Sequence, residues 1–301
     1  MELWIPITIF AAFMQNLRSS LQKYLKGRLS TSGATFSRFA YAVPLAFLYV
    51  VGLTSFAGYE LPGANAPFAM FAMIGGLAQV LATALLVYLF SFRNFAVGTT
   101  FSKTETVQTA LFGIVVLGET LSPGAIVAVM VSLVGVMMIS VTQSTLSVRG
   151  LGRQWIGRPA LIGIASGAFF GVSAVAYRAA SLSLDGGDFI IRAAFTLACV
   201  TVFQTIIMAV YMRLREPGQI KAVLAAWRIA GLVGLMGMLG SVGWFTAMTL
   251  QNAAYVRALG QIELLFTFAA SYLAFGERSS RTELAGIGLV SAGILLLVFL
   301  R

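Results

Sequence analysis

Histidine does not occur in the 301 residues, and cysteine occurs once, at Cys199. Without histidine the chain lacks the commonest proton carrier and metal ligand near neutral pH. A lone cysteine excludes a disulfide within the chain. Charge is scarce too. Asp, Glu, Lys and Arg make up 10% of the sequence, where a soluble domain carries about a quarter. Acids are the rarer sign, 10 against 20 bases, for a net charge of +10. The bases fall in short stretches between apolar runs, the pattern of loops beside a membrane rather than of a nucleic-acid face. No GxSxG or HExxH pattern occurs, and nothing pairs a nucleophile with its base, which argues against an intramembrane enzyme. No metal site and no cofactor are expected.

What is present is apolar. Hydrophobic residues account for 59% of the chain. Runs of about 20 recur from end to end, each long enough to cross a hydrocarbon core of about 30 Å. Continuous runs, rather than alternation, exclude a barrel. The fold predicted is all-α and polytopic, with ten transmembrane helices at residues 3–24, 35–56, 68–92, 95–117, 123–141, 159–182, 189–212, 229–250, 253–275 and 282–300. Pro44 predicts a kink in span two, since a mid-helix proline loses a backbone bond. The opening Met1-Glu2-Leu3-Trp4 has no basic n-region and reads as the start of the first helix. Glycines recur on spans six (Gly163, Gly167, Gly171) and eight (Gly231, Gly234, Gly237, Gly240, Gly243), where they predict close helix contacts.

The chain repeats itself. Asn94 to Ser122 recurs as Asn252 to Ser280, so that Asn94 meets Asn252, Ala96 meets Ala254, Glu105 meets Glu263 and Gly118-Glu119 meets Gly276-Glu277. Five spans per copy is an odd number, so two copies in tandem must enter the membrane in opposite senses. The organisation predicted is two inverted five-helix repeats, 1–141 and 159–301, joined by the polar linker 142–158. Loop charges give the orientation. Lys23, Lys26, Arg28, Arg93, Arg149, Arg153, Arg158, Arg213, Arg215, Lys221, Arg228, Arg278 and Arg281 all follow odd-numbered spans. Glu2, Glu60, Glu119, Asp185 and Asp188 lie on the other side, with Arg301 as its one base. The basic side reads as cytoplasmic and both termini as outside.

Each copy carries one acid at the centre of a span, where a charge costs about 2.5–3.5 kcal/mol on insertion scales. Glu105 lies about 15 Å from either surface at 1.5 Å per residue. Burial disfavours its charged form and a nearby cation favours it. Lys103, two residues away, faces nearly the opposite side of the helix; across the pseudo-twofold axis it can meet Glu263. Two readings stand: a fixed buried ion pair joining the halves, or a proton carrier and anchor for a substrate ammonium. Arg257 stands where the first copy has Thr99 and so breaks the symmetry; it serves a substrate or snorkels to the interface. Arg18 on span one holds a carboxylate or reaches for lipid phosphate. Gln15 and Gln22, Gln79, Thr83 and Tyr88, Thr104 and Gln108, Ser173 and Tyr177, Trp244 and Gln261 complete a polar and aromatic lining, or simply bond helix to helix. Glu119 and Glu277, at the aqueous edge, read as structural, capping the next helix.

The closures Gly118-Glu119-Thr120-Leu121-Ser122 and Gly276-Glu277-Arg278-Ser279-Ser280, each followed by a glycine-bearing apolar run (Leu133-Val134-Gly135-Val136; Ser291-Ala292-Gly293-Ile294), resemble the EamA repeat of the drug/metabolite transporter superfamily. Lys23 with Arg38, and Arg178 with Arg192, also match its pattern of a base late in the first helix and an arginine early in the second. The resemblance covers nearly the whole chain, twice. It implies a secondary transporter of small organic solutes, with a substrate cavity between the repeats lined largely by spans 1, 3, 4, 6, 8 and 9. Two departures stand out. The family commonly has proline at the positions of Glu105 and Glu263. Its members are commonly drawn with both termini in the cytoplasm.

The function expected is therefore secondary active transport of an amino-acid-like metabolite or organic cation across a bacterial inner membrane, by alternating access, with proton coupling as an option and export as one direction. The residues expected to bind or couple are Glu105, Glu263, Lys103, Arg257, Arg18, Gln79, Tyr177, Trp244 and Gln261. The partners are a small-molecule substrate and the lipid bilayer, with no nucleic acid, for a monomer or a homodimer. A channel, a non-transporting membrane scaffold and, behind them, an enzyme are the alternatives.

Overall fold

The computed structural model describes residues 2–92, 101–143, 157–275 and 280–300. Asn94, Ala96, Thr99, most of the linker, Gly276 to Ser279 and Arg301 lie outside the described residues. Helices account for 84% of the structure, and no strand occurs among the described residues. The helices are α1 (Trp4–Lys26), α2 (Thr31–Ala40), α3 (Ala42–Ser55), α4 (Ala66–Leu89), α5 (Glu105–Leu117), α6 (Pro123–Gln143), α7 (Arg158–Ser183), α8 (Phe189–Arg215), α9 (Gln219–Ala225), α10 (Trp227–Leu250), α11 (Ala253–Gly260), α12 (Glu263–Phe275) and α13 (Arg281–Leu300).

Six candidate membrane spans are long and apolar enough to cross a bilayer: Thr31–Ser55, Ala66–Leu89, Arg158–Ser183, Phe189–Arg215, Trp227–Leu250 and Arg281–Leu300. The other expected spans fall short for visible reasons. Helix α1 has the length, but Gln15, Asn16 and Arg18 dilute its hydropathy. The region of span four contributes the shorter apolar helix Glu105–Leu117. Span nine is divided into α11 and α12. Large apolar side chains face outward along the spans, among them Leu48, Val115 and Phe299. That is the surface a lipid solvent requires.

Local sequence explains the breaks and ends. Span two breaks at Tyr41 rather than at Pro44 itself. The proline ring collides with the carbonyl four residues back, that of Ala40, and has no N–H to offer it. Asn65 caps α4, accepting from the Phe68 amide at 2.9 Å, and Asp188 caps α8. Gly118 ends α5 in the left-handed region at φ 63°, a conformation that disfavours a Cβ. Ser122 and Ser280, equivalent positions of the two copies, cap α6 and α13 through the amides of Ala125 and Glu283. Glu119 therefore does not cap the next helix, as the sequence suggested; the serine three residues on does so. Glu277 lies outside the described residues.

The helices pack in pairs drawn from the two halves. Helix α1 lies along α10, with Gly237 near Arg18, Gly240 near Gln15 and Gly243 near Ile7, so the two run antiparallel. Helix α4 lies antiparallel along α7, Gly75 against Tyr177 and Ala82 against Ser166. Helices α5 and α7 run in the same direction, Gly167 beside Glu105 and Gly171 beside Thr109. Helices α6 and α13 are antiparallel and nearly backbone to backbone. A methyl group built on Gly135 would stand 2.6 Å from the Gly286 carbonyl.

Loops meet at both ends. At one end Ser30 and Ser32 donate to the Glu216 carboxylate, at 2.5 and 2.7 Å. At the other, Gly63 and Asp185 exchange backbone hydrogen bonds of 2.7 and 3.0 Å, and Asn65 donates to the Ser183 carbonyl.

Candidate functional site

Span nine was expected to be one continuous helix, and α12 to carry Glu263 in mid-run. Instead the helix breaks at Gln261 and Ile262, and Glu263 is the first residue of the new segment. The first copy turns at the equivalent place, Lys103 and Thr104, and Glu105 begins α5. Both turns tighten to bonds three residues back: Thr104 N–H to Phe101, Thr106 to Lys103, Gln261 to Ala258 and Ile262 to Leu259. The backbone thus stays largely satisfied without proline. A carboxylate at a helix start is favoured by the aligned peptide dipoles. The family's usual proline at these two positions was the signal for a break. The bend survives here with glutamate in its place.

Both acids turn inward, 7% and 8% exposed for Glu105 and Glu263. Each pairs with a base of the opposite half. Lys103 pairs with Glu263, and Arg257 approaches Glu105 at 3.6 Å. The pairs are crossed but not equivalent. Glu263 also accepts from Gln15 Nε2 at 2.9 Å. Gln261, the counterpart of Lys103, donates to Thr106 Oγ1 at 2.7 Å, which makes a further link between the halves here. A small pocket of about 10 Å³ adjoins these links, lined by Lys103, Thr106, Val129, Ser132, Leu133, Val136 and Gln261. Lys103 borders it with 18% of its side chain accessible.

Arg257 does not snorkel. It is 5% exposed, and its guanidinium lies 4.8 Å from the centre of the Trp244 ring and 5.9 Å from that of Phe170. Trp244 thus lies against the Arg257 guanidinium. Arg18 is equally buried and does not reach for lipid; it donates to Ser19 Oγ at 3.3 Å. Arg38 was not among the expected site residues, yet it is 3% exposed and donates to Thr83 Oγ1 at 2.8 Å. Its sequence counterpart, Arg192, sits half-buried and donates to the Gly186 carbonyl in a loop. The only signal that could have separated the two is that Gly186-Gly187 stands close before Arg192.

Gln79 and Tyr177 come together, but in a closed knot with Gln204, which sequence reasoning missed. Tyr177 donates to Gln79 Oε1 at 3.0 Å, and the Gln204 amide reaches the same oxygen at 2.9 Å and the Gly76 carbonyl at 3.1 Å. Tyr177 also stacks on Phe245. This knot joins α4, α7 and α8. Its groups answer one another and not the two acids. Gln22 likewise spends its amide on the Ala34 carbonyl, Ser173 bonds its own helix, and Tyr88 faces outward, 46% exposed. Glu119 pairs with Arg178 Nε at 2.5 Å, and the same arginine donates to the Met248 and Gln251 carbonyls, tying the end of α10 to α7.

This is an integral membrane protein, all-helical, whose charged groups face one another between the two halves of the chain. Residues 157–299 match the EamA-like transporter family. The match lies in the second half of the chain, and the family it points to falls within the drug/metabolite transporter superfamily. No curated protein matches the chain. A solved crystal structure with 15% sequence identity superposes on 99% of this chain and 97% of its own, with a TM-score of 0.71. At that identity the likeness speaks for the fold alone.

Proposed function

We propose that the chain is a secondary active transporter of a small organic metabolite, built as two inverted five-helix repeats that rock about a shared site. The observation that carries this reading is the pair of crossed ion pairs, Lys103 with Glu263 and Arg257 with Glu105, placed at matching helix breaks of the two copies. Broken helices at mid-membrane with charged groups at the break are the usual construction of substrate and ion sites in inverted-repeat transporters. The running directions of the helices also support it. Spans 1 and 8, 3 and 6, and 5 and 10 run antiparallel, and spans 4 and 6 run parallel, as ten alternating spans require.

In this reading the acids trade partners as the halves move, and a proton competes with Lys103 or Arg257 for a carboxylate. Alternating access then needs the loop contacts at the two ends to open in turn: Ser30 and Ser32 with Glu216 at one, Gly63 with Asp185 at the other. The loop charges put the first of these on the cytoplasmic face of a bacterial inner membrane, with both termini outside. The repeats are 1–141 and 159–301, joined by 142–158. Gln261 and Trp244 flank the ion pairs, while Gln79 and Tyr177 bond within the separate knot with Gln204.

Purified protein in proteoliposomes tests the reading. A pH gradient should drive flux of a bound metabolite, and Glu105→Gln should abolish that flux while thermal unfolding in detergent shows the fold retained. Undiminished flux through Glu105→Gln would sink the role given to the acids.

A further inference from the structure

The buried charges at the centre do not balance. Glu105 and Glu263 are each matched by one base, Arg257 and Lys103. Arg18 and Arg38 remain, each 3% exposed and neither in an ion pair among the described residues. Glu105 is already held by Arg257 at 3.6 Å. The polar contacts of the two guanidinium groups are single hydroxyls: Ser19 for Arg18 and Thr83 for Arg38. Among the described residues, the Nε atoms of Arg18, Arg38 and Arg257 each lack a hydrogen-bond partner. A planar guanidinium carries five donors arranged to grip an oxyanion, so most of that capacity stands unused.

The two arginines converge. Both stems pass the same point of α10: a methyl group on Gly237 would lie 3.3 Å from Cγ of Arg38 and 3.6 Å from Cδ of Arg18. They come from α1 and α2 of the first half, against α10 of the second. Holding two like charges together in a buried place is costly unless something of opposite sign enters. A lipid-exposed or purely structural pair would instead reach the surface or a carboxylate, and these do neither.

We infer that Arg18 and Arg38 form the anion half of the substrate site, and that the transported solute is a small organic dianion, a dicarboxylate or a phosphate monoester. This rests on the transporter reading above and names its substrate class. Two negative charges offset the two unmatched arginines. A zwitterion offsets neither net charge, and an organic cation adds to the surplus. Gly237 is then the place where α10 leaves room for both stems, and a residue larger than alanine there would press on them.

The test uses the full-length protein purified in detergent, with succinate, glycerol phosphate, alanine and tetramethylammonium as probes, each at matched ionic strength. Succinate or glycerol phosphate should raise the unfolding temperature in a saturable way, and alanine and tetramethylammonium should not. Arg18→Gln and Arg38→Gln should weaken the dianion response about 10- to 100-fold, the loss expected when a charge-assisted hydrogen-bond pair is removed. Both variants should unfold at or above the wild-type temperature without ligand, because each removes an uncompensated buried charge. Arg38→Lys, which keeps the charge and loses the fork, should fall between. Saturable stabilisation by alanine or tetramethylammonium alone, or no response to either dianion, overturns the assignment. So does a dianion response that survives in both Gln variants. If dianions fail to bind while Glu105→Gln still abolishes flux, the transporter reading stands and only the anion site falls.

Discussion

Glu105 and Glu263 occupy the same place in two matching helix breaks, yet their surroundings differ. Glu263 is held by Lys103 and by Gln15. Glu105 has one ion-pair partner among the described residues, Arg257 at 3.6 Å, and that arginine divides itself between the acid and the Trp244 ring. The shared scaffold places both acids; side chains that are not duplicated decide how tightly each is held. Lys103 is answered by Gln261 in the other copy, and Arg257 by Thr99. Duplication thus builds the frame, and departures from it give the two acids different freedom. In the transport reading proposed above, Glu263 is the anchored member and Glu105 the one that exchanges.

That contrast can be broken experimentally, and the sharpest break is at Lys103. Lys103→Met leaves Glu263 with Gln15 alone. It should cost about 3–5 kcal/mol, the loss seen when one member of a buried pair is removed, measured by thermal unfolding in detergent. Adding Glu263→Gln to Lys103→Met should recover most of it. The next comparison sets the acids against each other. Glu263→Gln should destabilise by about 1–3 kcal/mol and Glu105→Gln by less, because Glu105 has fewer partners to lose; the reverse order would remove the distinction. Trp244→Leu should cost about 0.5–2 kcal/mol through the lost cation–π contact with Arg257, and in a double-mutant cycle it should couple to Arg257 but not to Lys103. The smallest effect is expected at Gln261→Leu, about 0.6–1.7 kcal/mol for one hydrogen bond between helices, and Thr106→Val should add nothing to it.

Much of this was legible in the sequence, and the reasons are physical. A charge in an apolar run is conspicuous because it is costly, so Glu105 and Glu263 marked the centre at once. Helical spacing turned Lys103 away from Glu105, since residues two apart do not face one another, which left Glu263 of the other half as a partner it can meet; the two do pair. The helix breaks were not legible from the residues alone. Glu105 and Glu263 fit a continuous helix as well as a broken one, and tight three-residue bonds at the turns replace the proline that would have announced them. Arg38 escaped notice because its value depends on which way its helix faces, and the break at Tyr41 sets that facing. Gln79 and Tyr177 look from sequence like a lining. Only packing reveals that Gln204, from a third helix, completes their bonding.

The contact between α6 and α13 has a mechanical consequence. Gly135 and Gly286 bring the two main chains so close that a methyl group on either would strike the other's carbonyl, at 2.6 and 2.8 Å. Neither helix can slip past its neighbour by even one residue. One strut from each half is therefore joined into a single double-thickness spar. In the rocking motion proposed above, any swing of one half against the other would hinge along that spar, and the travel would grow with distance from it.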